Sequence, residues 1–359
     1  MGTVRAPLFA ARACAAPARA RAARRIRSCL AFAFALALAD HAAAAGADYK
    51  IVTASEKSTA VRMGRDLARL VAPSADMSLE TVVTAGSVDN VRRLRFEPNV
   101  KFALVQSDVW QAFVEEADAS GGGVANLVRP LRVLVPLHRE ELYFLVRADS
   151  PIGAVHEIRD ARIAAGPLGS GGAFTTTALY RQMFGESPSP RQVKYMSDEE
   201  ALLKLVDDKS VDVVVLVSGQ PAALLADMKP AARRLLKLLP LDPSHPASQA
   251  ALRAYLPATV RAANLPNLLT QDLPALAVQT LLLTYDYDLP TTIGFLTDFA
   301  RALCASLDRL RTLGHPKWEE VTLELGPAPP AGAYYEPTSI VLRDCRPVPG
   351  PGTAPSSRP

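Results

Sequence analysis

The stretch ARIAAGPLGSGGAFTTTALYRQMF, residues 161–184, sets the architecture. Its first five residues read as a strand, 174–184 reads as a helix, and four glycines and a serine lie between them. Such a turn joins the layers of a parallel α/β fold and puts backbone N–H groups where an anion could bind. It is not a phosphate loop: Gly166 and Gly171 have the spacing, but Gly172 and Ala173 stand where Lys and Ser or Thr are required. A dinucleotide fingerprint starting at Gly169 would need glycine at Phe174, and a serine-hydrolase elbow would need it at Leu168. Two readings remain, a ligand-binding wall and a plain tight turn.

The pattern recurs on both sides. YKIVTA (49–54) alternates like a strand, Ser58 opens an amphipathic helix, LETVVTAGS (79–87) is a second strand and turn, and VKFALVQSD (100–108) a third. Next, the apolar halves of LVPLHREELYFLVRADS (134–150) read as crossing strands. Ser197 and Glu200 form a capping box, with a helix to about Asp208 and a buried strand over 211–217. The chain returns through a strand over 275–284 and a long helix after Pro290. From Gly326 it reads as an irregular wrapping segment, then as disorder past about Pro347.

Residues 1–46 read as a secretory signal peptide. Seven arginines and no acid precede the apolar run CLAFAFALALA, which is too short to span a bilayer and is followed by small residues. Without this leader the net charge falls from +4 to about −2, so the basic balance is no argument for a nucleic-acid partner. An exported chain of about three hundred residues suits two domains. Export also removes Cys14 and Cys29, leaving Cys304 and Cys345 as a disulfide or as two separate thiols.

Enzyme chemistry is poorly supplied. His138, His156, His245 and His315 have no metal-ligand spacing, no paired-cysteine motif exists, and Ser170 lacks an evident base. The pairs Glu140–Glu141 and Asp207–Asp208 are adjacent and read as solvated faces. No metal, cofactor or catalytic residue is expected.

TAGSVDNVRRL, FALVQSDV, LVRADSPIGAVHEIRDARIAAGPLGSG and DLPALAVQTLLLTYDYDLP occur in this order and at family-like spacing. Through them the chain, from about Tyr49 to about Leu325, resembles the TAXI family of TRAP-transporter-associated extracytoplasmic solute-binding proteins. The resemblance implies an α/β, two-lobed periplasmic-binding-protein fold of type II. Lobe I would hold 47–147 plus 246–325, lobe II 148–245, and 326–359 would be the wrapping segment and tail. It further implies a periplasmic monomer that delivers a small organic acid or amino acid, such as glutamate or 2-oxoglutarate, to a TRAP permease. One turn departs from the family: a glycine-rich segment with an aromatic pair is replaced by TASEKSTAV (53–61), which introduces Glu56 and Lys57. That departure keeps a second role open, a sensor or interaction subunit with an altered solute site.

Ligands of open parallel sheets bind beyond the carboxyl ends of the strands, so the turns nominate the site. The candidates are Ser55 and Lys57 in the first turn, Thr84, Gly86, Ser87 and Asn90 in the second, and Gln106, Ser107 and Asp108 in the third. Gly169, Ser170, Gly171, Gly172 and Thr175 follow in the glycine-rich turn, and Ser218 and Gly219 in the fifth. Several have a plainer role to hand: Ser87 and Asp108 as helix caps, Asn90 as a solvated residue, Lys57 as a partner of Glu56.

Overall fold

Alternating strands and helices follow one another from Ala47 onward. A computed structural model describes residues 47–120, 122–326 and 331–345; the expected leader and the tail past about Pro347 lie outside the described residues. The first series is β1 (Ala47–Val52), α1 (Thr59–Asp66), β2 (Met77–Val82), α2 (Ser87–Phe96), β3 (Val100–Gln106), α3 (Ser107–Ser120) and α4 (Gly123–Val128). Ser58 caps α1 as its position predicts, its Oγ accepting the Val61 N–H at 3.2 Å. Ser87 does not cap α2: Gly86 holds that place, and the Ser87 Oγ instead accepts the Gln106 N–H at 3.0 Å.

β4 (Leu131–Arg147) is one strand of 17 residues where two halves were expected. The second series is β5 (Ile163–Ala165), α5 (Gly171–Phe184), β6 (Val193–Tyr195), α6 (Asp198–Leu203), β7 (Val213–Ser218), α7 (Ala223–Ala226), β8 (Leu236–Leu238), α8 (Pro246–Ala251) and β9 (Leu256–Val260). The return runs through β10 (Leu273–Tyr285), α9 (Pro290–Ala305), α10 (Leu307–Leu313) and α11 (Glu336–Arg343).

The result is a mixed α/β fold around one sheet, ordered β2-β1-β3-β10-β4-β7-β5-β6, with β8 beside β4 and β9 beside β10. β1 pairs in parallel with β2 and β3, and β5 with β6 and β7. Antiparallel β4 and β10 join these two halves of the sheet. β10 pairs with β9 over Leu273–Ala277 and with β3 over Thr280–Leu283, while β4 leaves β10 after Leu142 and runs beside β7. The change of partners centres on Glu140, Glu141, Gln279 and Thr280, and the β4–β10 register breaks there, between Gln279 and Leu281.

Helices cover both faces of each half, which explains the unbroken apolar runs in the strands. In the first half Phe102 packs on Phe299 with ring centroids 4.5 Å apart, next to buried Trp318, and Val105, Val109 and Trp110 fill the opposite face. In the second half Phe144, Ile163 and Val213 face one layer, Leu145, Val214 and Leu216 the other. The segment after Gly326 is not wholly irregular. Tyr335 and Leu342 enter the first core, and Pro337 in the first turn preorganises α11 between them. Cys304 and Cys345 are disulfide-bonded with Cα atoms 5.8 Å apart, tying α9 to the end of α11.

Candidate functional site

The turns at the carboxyl ends of the parallel strands meet around a cavity of about 380 Å³. The first half supplies the turns after β1, β2 and β3, the second half those after β5, β6 and β7, and Glu140 of β4 and Thr280 of β10 line it from the crossing strands. Such a volume suits a small solute.

Glycine brings these turns together. α5 starts at Gly171, three residues earlier than the periodicity suggests, capped by Ser170, whose Oγ accepts the Ala173 N–H at 3.0 Å. A Cβ on Gly171 would sit 1.8 Å from the Gln106 Oε1 and 2.8 Å from the Ser87 Oγ, so only glycine lets α5 approach the first half this closely. Gly86 adopts φ 126°, and a Cβ there would lie 3.2 Å from the Gly171 N. The Asp89 N–H donates to the Gly169 carbonyl at 3.3 Å, so backbone also ties the two turns together.

The charges around the cavity are mostly acidic. Lys57 does not pair with Glu56: its Nζ lies 2.9 Å from the Glu199 Oε1, linking the turns after β1 and β6, while Glu56 meets Arg65. This contact holds the Glu199 carboxyl below the usual range. The Asp198 carboxyl is pushed up to about 6 by burial and then by Glu199, and makes no ion pair or hydrogen bond among the described residues. Glu140 is 5% exposed; its Oε2 accepts from the Gln106 Nε2 at 2.7 Å, and its Oε1 has His138 Nε2 3.7 Å away, beyond hydrogen-bond reach.

Residues 51–324 match the family model described as NMT1-like. The chain belongs to the NMT1-like family. No curated protein matches it in sequence. Among solved structures, the NMT1-like chain is similar to the periplasmic binding protein BugD (12% identity, 83% of this chain and 93% of that one, TM-score 0.47). It is also similar to a TctC solute-binding protein from Polaromonas (17% identity, 73% and 88%, TM-score 0.38) and to XAC2383 from Xanthomonas citri bound to ATP (14% identity, 83% and 99%, TM-score 0.43).

Of the nominated residues of this NMT1-like protein, Ser55, Lys57, Thr84, Gly86 and Ser87 line the cavity from the first two turns, and Gln106 from the third. Ser170, Gly171, Gly172 and Ser218 line it from the second half. Asn90 lies elsewhere and is buried, not solvated: its Nδ2 donates to the Thr53 and Leu104 carbonyls and its Oδ1 accepts from Thr84, stitching three strand ends together. Asp108 and Thr175 also lie outside the wall, the Thr175 hydroxyl donating to the Asp108 Oδ2 at 2.7 Å and Tyr255 to the same oxygen at 3.1 Å. Burial pushes the Asp108 carboxyl up to about 6 despite these bonds. Ser107, Gly169 and Gly219 are not in the wall either; Gly219 faces the opposite way, where a Cβ would stand 3.0 Å from the Lys317 Cε.

Glu140 and Glu141, expected on solvated faces, are 5% and 4% exposed. Adjacent residues of a strand point to opposite faces, and in a sheet covered on both faces each direction is interior. Glu140 therefore faces the cavity, while Glu141 meets Lys317 on the other side, with Nζ to Oε1 2.6 Å, and accepts the Gln220 N–H at 3.1 Å. Burial raises the Glu141 carboxyl and Lys317 opposes the rise. Asp207 and Asp208, by contrast, are exposed as read. Among the described residues no grouping of His, Cys, Asp and Glu could hold a metal ion, and no helix is long and apolar enough to cross a membrane.

Proposed function

We propose that this protein is an extracytoplasmic solute-binding receptor that takes a small solute into the cavity between the two halves of its sheet and hands it to a TRAP-type permease. The observation that carries this reading is the cavity itself, whose walls come from strand-end turns of both halves while the crossing strands β4 and β10 line it between them. A ligand touching both halves favours their closed arrangement, a shape that a permease can recognise. The resemblance to the TAXI family adds the permease class and small carboxylates as ligands. The N–H groups of Gly171 and Gly172 and the hydroxyls of Ser87 and Ser218 are the donors for one carboxylate. Lobe I as 47–147 plus 246–325, lobe II as 148–245, a cleaved leader, a monomeric state and a periplasmic location complete the proposal.

A thermal-shift screen of the purified protein against amino acids, amines, 2-oxo acids and dicarboxylates tests it. Saturable stabilisation by one solute supports the receptor reading, since a ligand of the folded state raises the midpoint with its concentration. A well-folded protein that none of them shifts speaks for the sensor or interaction role.

A further inference from the structure

We infer that the solute carries a positive charge, seated against Glu140, and at most one carboxylate. This rests on the receptor reading above and names the class of solute that the cavity accepts.

The charges lining the cavity are Glu56, Lys57, Glu140, Asp198 and Glu199. Two of the four acids are already met: Glu56 by Arg65 at 2.5 Å and Glu199 by Lys57 at 2.9 Å. Lys57 thus has Glu199 beside it, and its charge is already offset by a neighbouring carboxylate. Glu140 and Asp198 remain without a Lys or Arg partner among the described residues.

A second observation lies beside Glu140. Thr280 lines the same cavity, is 2% exposed, and its Oγ1 has no hydrogen-bond partner among the described residues. Buried hydroxyls normally find partners, so this one points to a group that arrives with the solute. A threonine hydroxyl either donates or accepts, whereas a carboxylate only accepts, and Glu140 has one oxygen free of hydrogen bonds. An ammonium or guanidinium group donates to both the Thr280 Oγ1 and the Glu140 Oε1; a carboxylate placed there would face Glu140 charge to charge. A single carboxylate on the same solute has its donors at the start of α5. A second one would meet Asp198 or Glu140, neither of which has a Lys or Arg partner among the described residues, and this disfavours dicarboxylates and 2-oxo diacids.

Isothermal titration of the purified protein with L-lysine, L-arginine and 1,4-diaminobutane in one set, and 2-oxoglutarate and succinate in the other, decides the matter. The expected result is binding of at least one cationic probe about tenfold or more tighter than either dianion. E140Q should weaken that probe by about tenfold or more. D198N, at a half-buried helix start on the same cavity, should weaken it too and keeps the test valid if E140Q fails to fold. A dianion that binds as tightly as every cationic probe, or carboxylate-to-amide variants that leave the cationic probe unchanged, overturns the inference and leaves the receptor reading standing. No binding by either set overturns both.

Discussion

Lys317 Nζ lies 2.6 Å from Glu141 Oε1, with Lys317 1% and Glu141 4% exposed, at the point where the sheet passes from one half to the other. Glu141 sits on β4, Lys317 in a short turn near the C-terminus, and the Gln220 N–H after β7 completes the contact. Removing one partner leaves the other charged in a nearly dry site. The variant K317M should destabilise the protein by about 3–5 kcal/mol in urea unfolding. The double variant with E141Q should be less destabilised than the two single costs added together, because no buried charge is left unpaired; Glu320, the second partner of Lys317 at 2.7 Å, is 40% exposed and is met by water. Additive costs would show that the pair is not coupled.

Gly171 and Gly172 are neighbours at the start of α5 with opposite tolerance for a methyl group. A Cβ on Gly172 meets nothing nearer than 3.9 Å, and one on Gly171 lands 1.8 Å from the Gln106 Oε1. Gln106 cannot swing away freely, because its Nε2 is held by Glu140. We expect G172A to be neutral or to gain up to about 1 kcal/mol from helix propensity. G171A should lose about 1–3 kcal/mol by overpacking and weaken solute binding as well. Equal melting temperatures for the two variants would contradict this close approach.

Much of this fold was legible in the sequence because its strands are buried on both faces and its helices begin with clear caps. The parallel series, the Ser58 and Ser197 caps and the Gly171 turn all follow from local chemistry. The short strands β6, β8 and β9 were not, since three to five residues of mixed character carry little periodicity. Glu140, Thr280 and Asp198 were missed as cavity residues for a different reason. Their place depends on which strands lie at the centre of the sheet, and a pair of glutamates looks solvated until both sides of its strand are known to be covered. Asn90 and Asp108 drew notice as polar residues in turns, yet their side chains are spent on binding strand ends and helices to one another.

The Cys304–Cys345 bond closes a loop with a sequence separation of 41. Restricting the unfolded chain over that span is worth about 4 kcal/mol on the chain-entropy estimate. Thiol titration of the denatured, unreduced protein from Ala47 onward, which lacks Cys14 and Cys29, should find neither cysteine free, and C304S/C345S should lower stability by about 2–4 kcal/mol. The loss should appear as fraying of α11, whose Tyr335 and Leu342 fill the first core. Two titratable thiols, or a double variant as stable as the parent, would contradict it.

His315 gives stability a pH dependence of known sign. Burial first, then the neighbouring His138 and Arg62, push its imidazole down to about 4. In the unfolded chain it titrates near 6.5, so between about 6.5 and 4 the unfolded state binds a proton that the folded state refuses. Its contribution is therefore intact above pH 6.5 and is lost as the pH falls toward 4. The loss is about 2–3 kcal/mol once solvent reaching part of the ring is allowed for. His315 Nδ1 accepts the Lys317 N–H at 3.2 Å, and asparagine keeps such a cap without titrating. H315N should thus lie closest to the parent at pH 7 and gain on it steadily as the solution is acidified, as read from urea midpoints at each pH. A difference between the two proteins that stays constant from pH 7 to pH 4 would show that His315 does not carry the acid sensitivity.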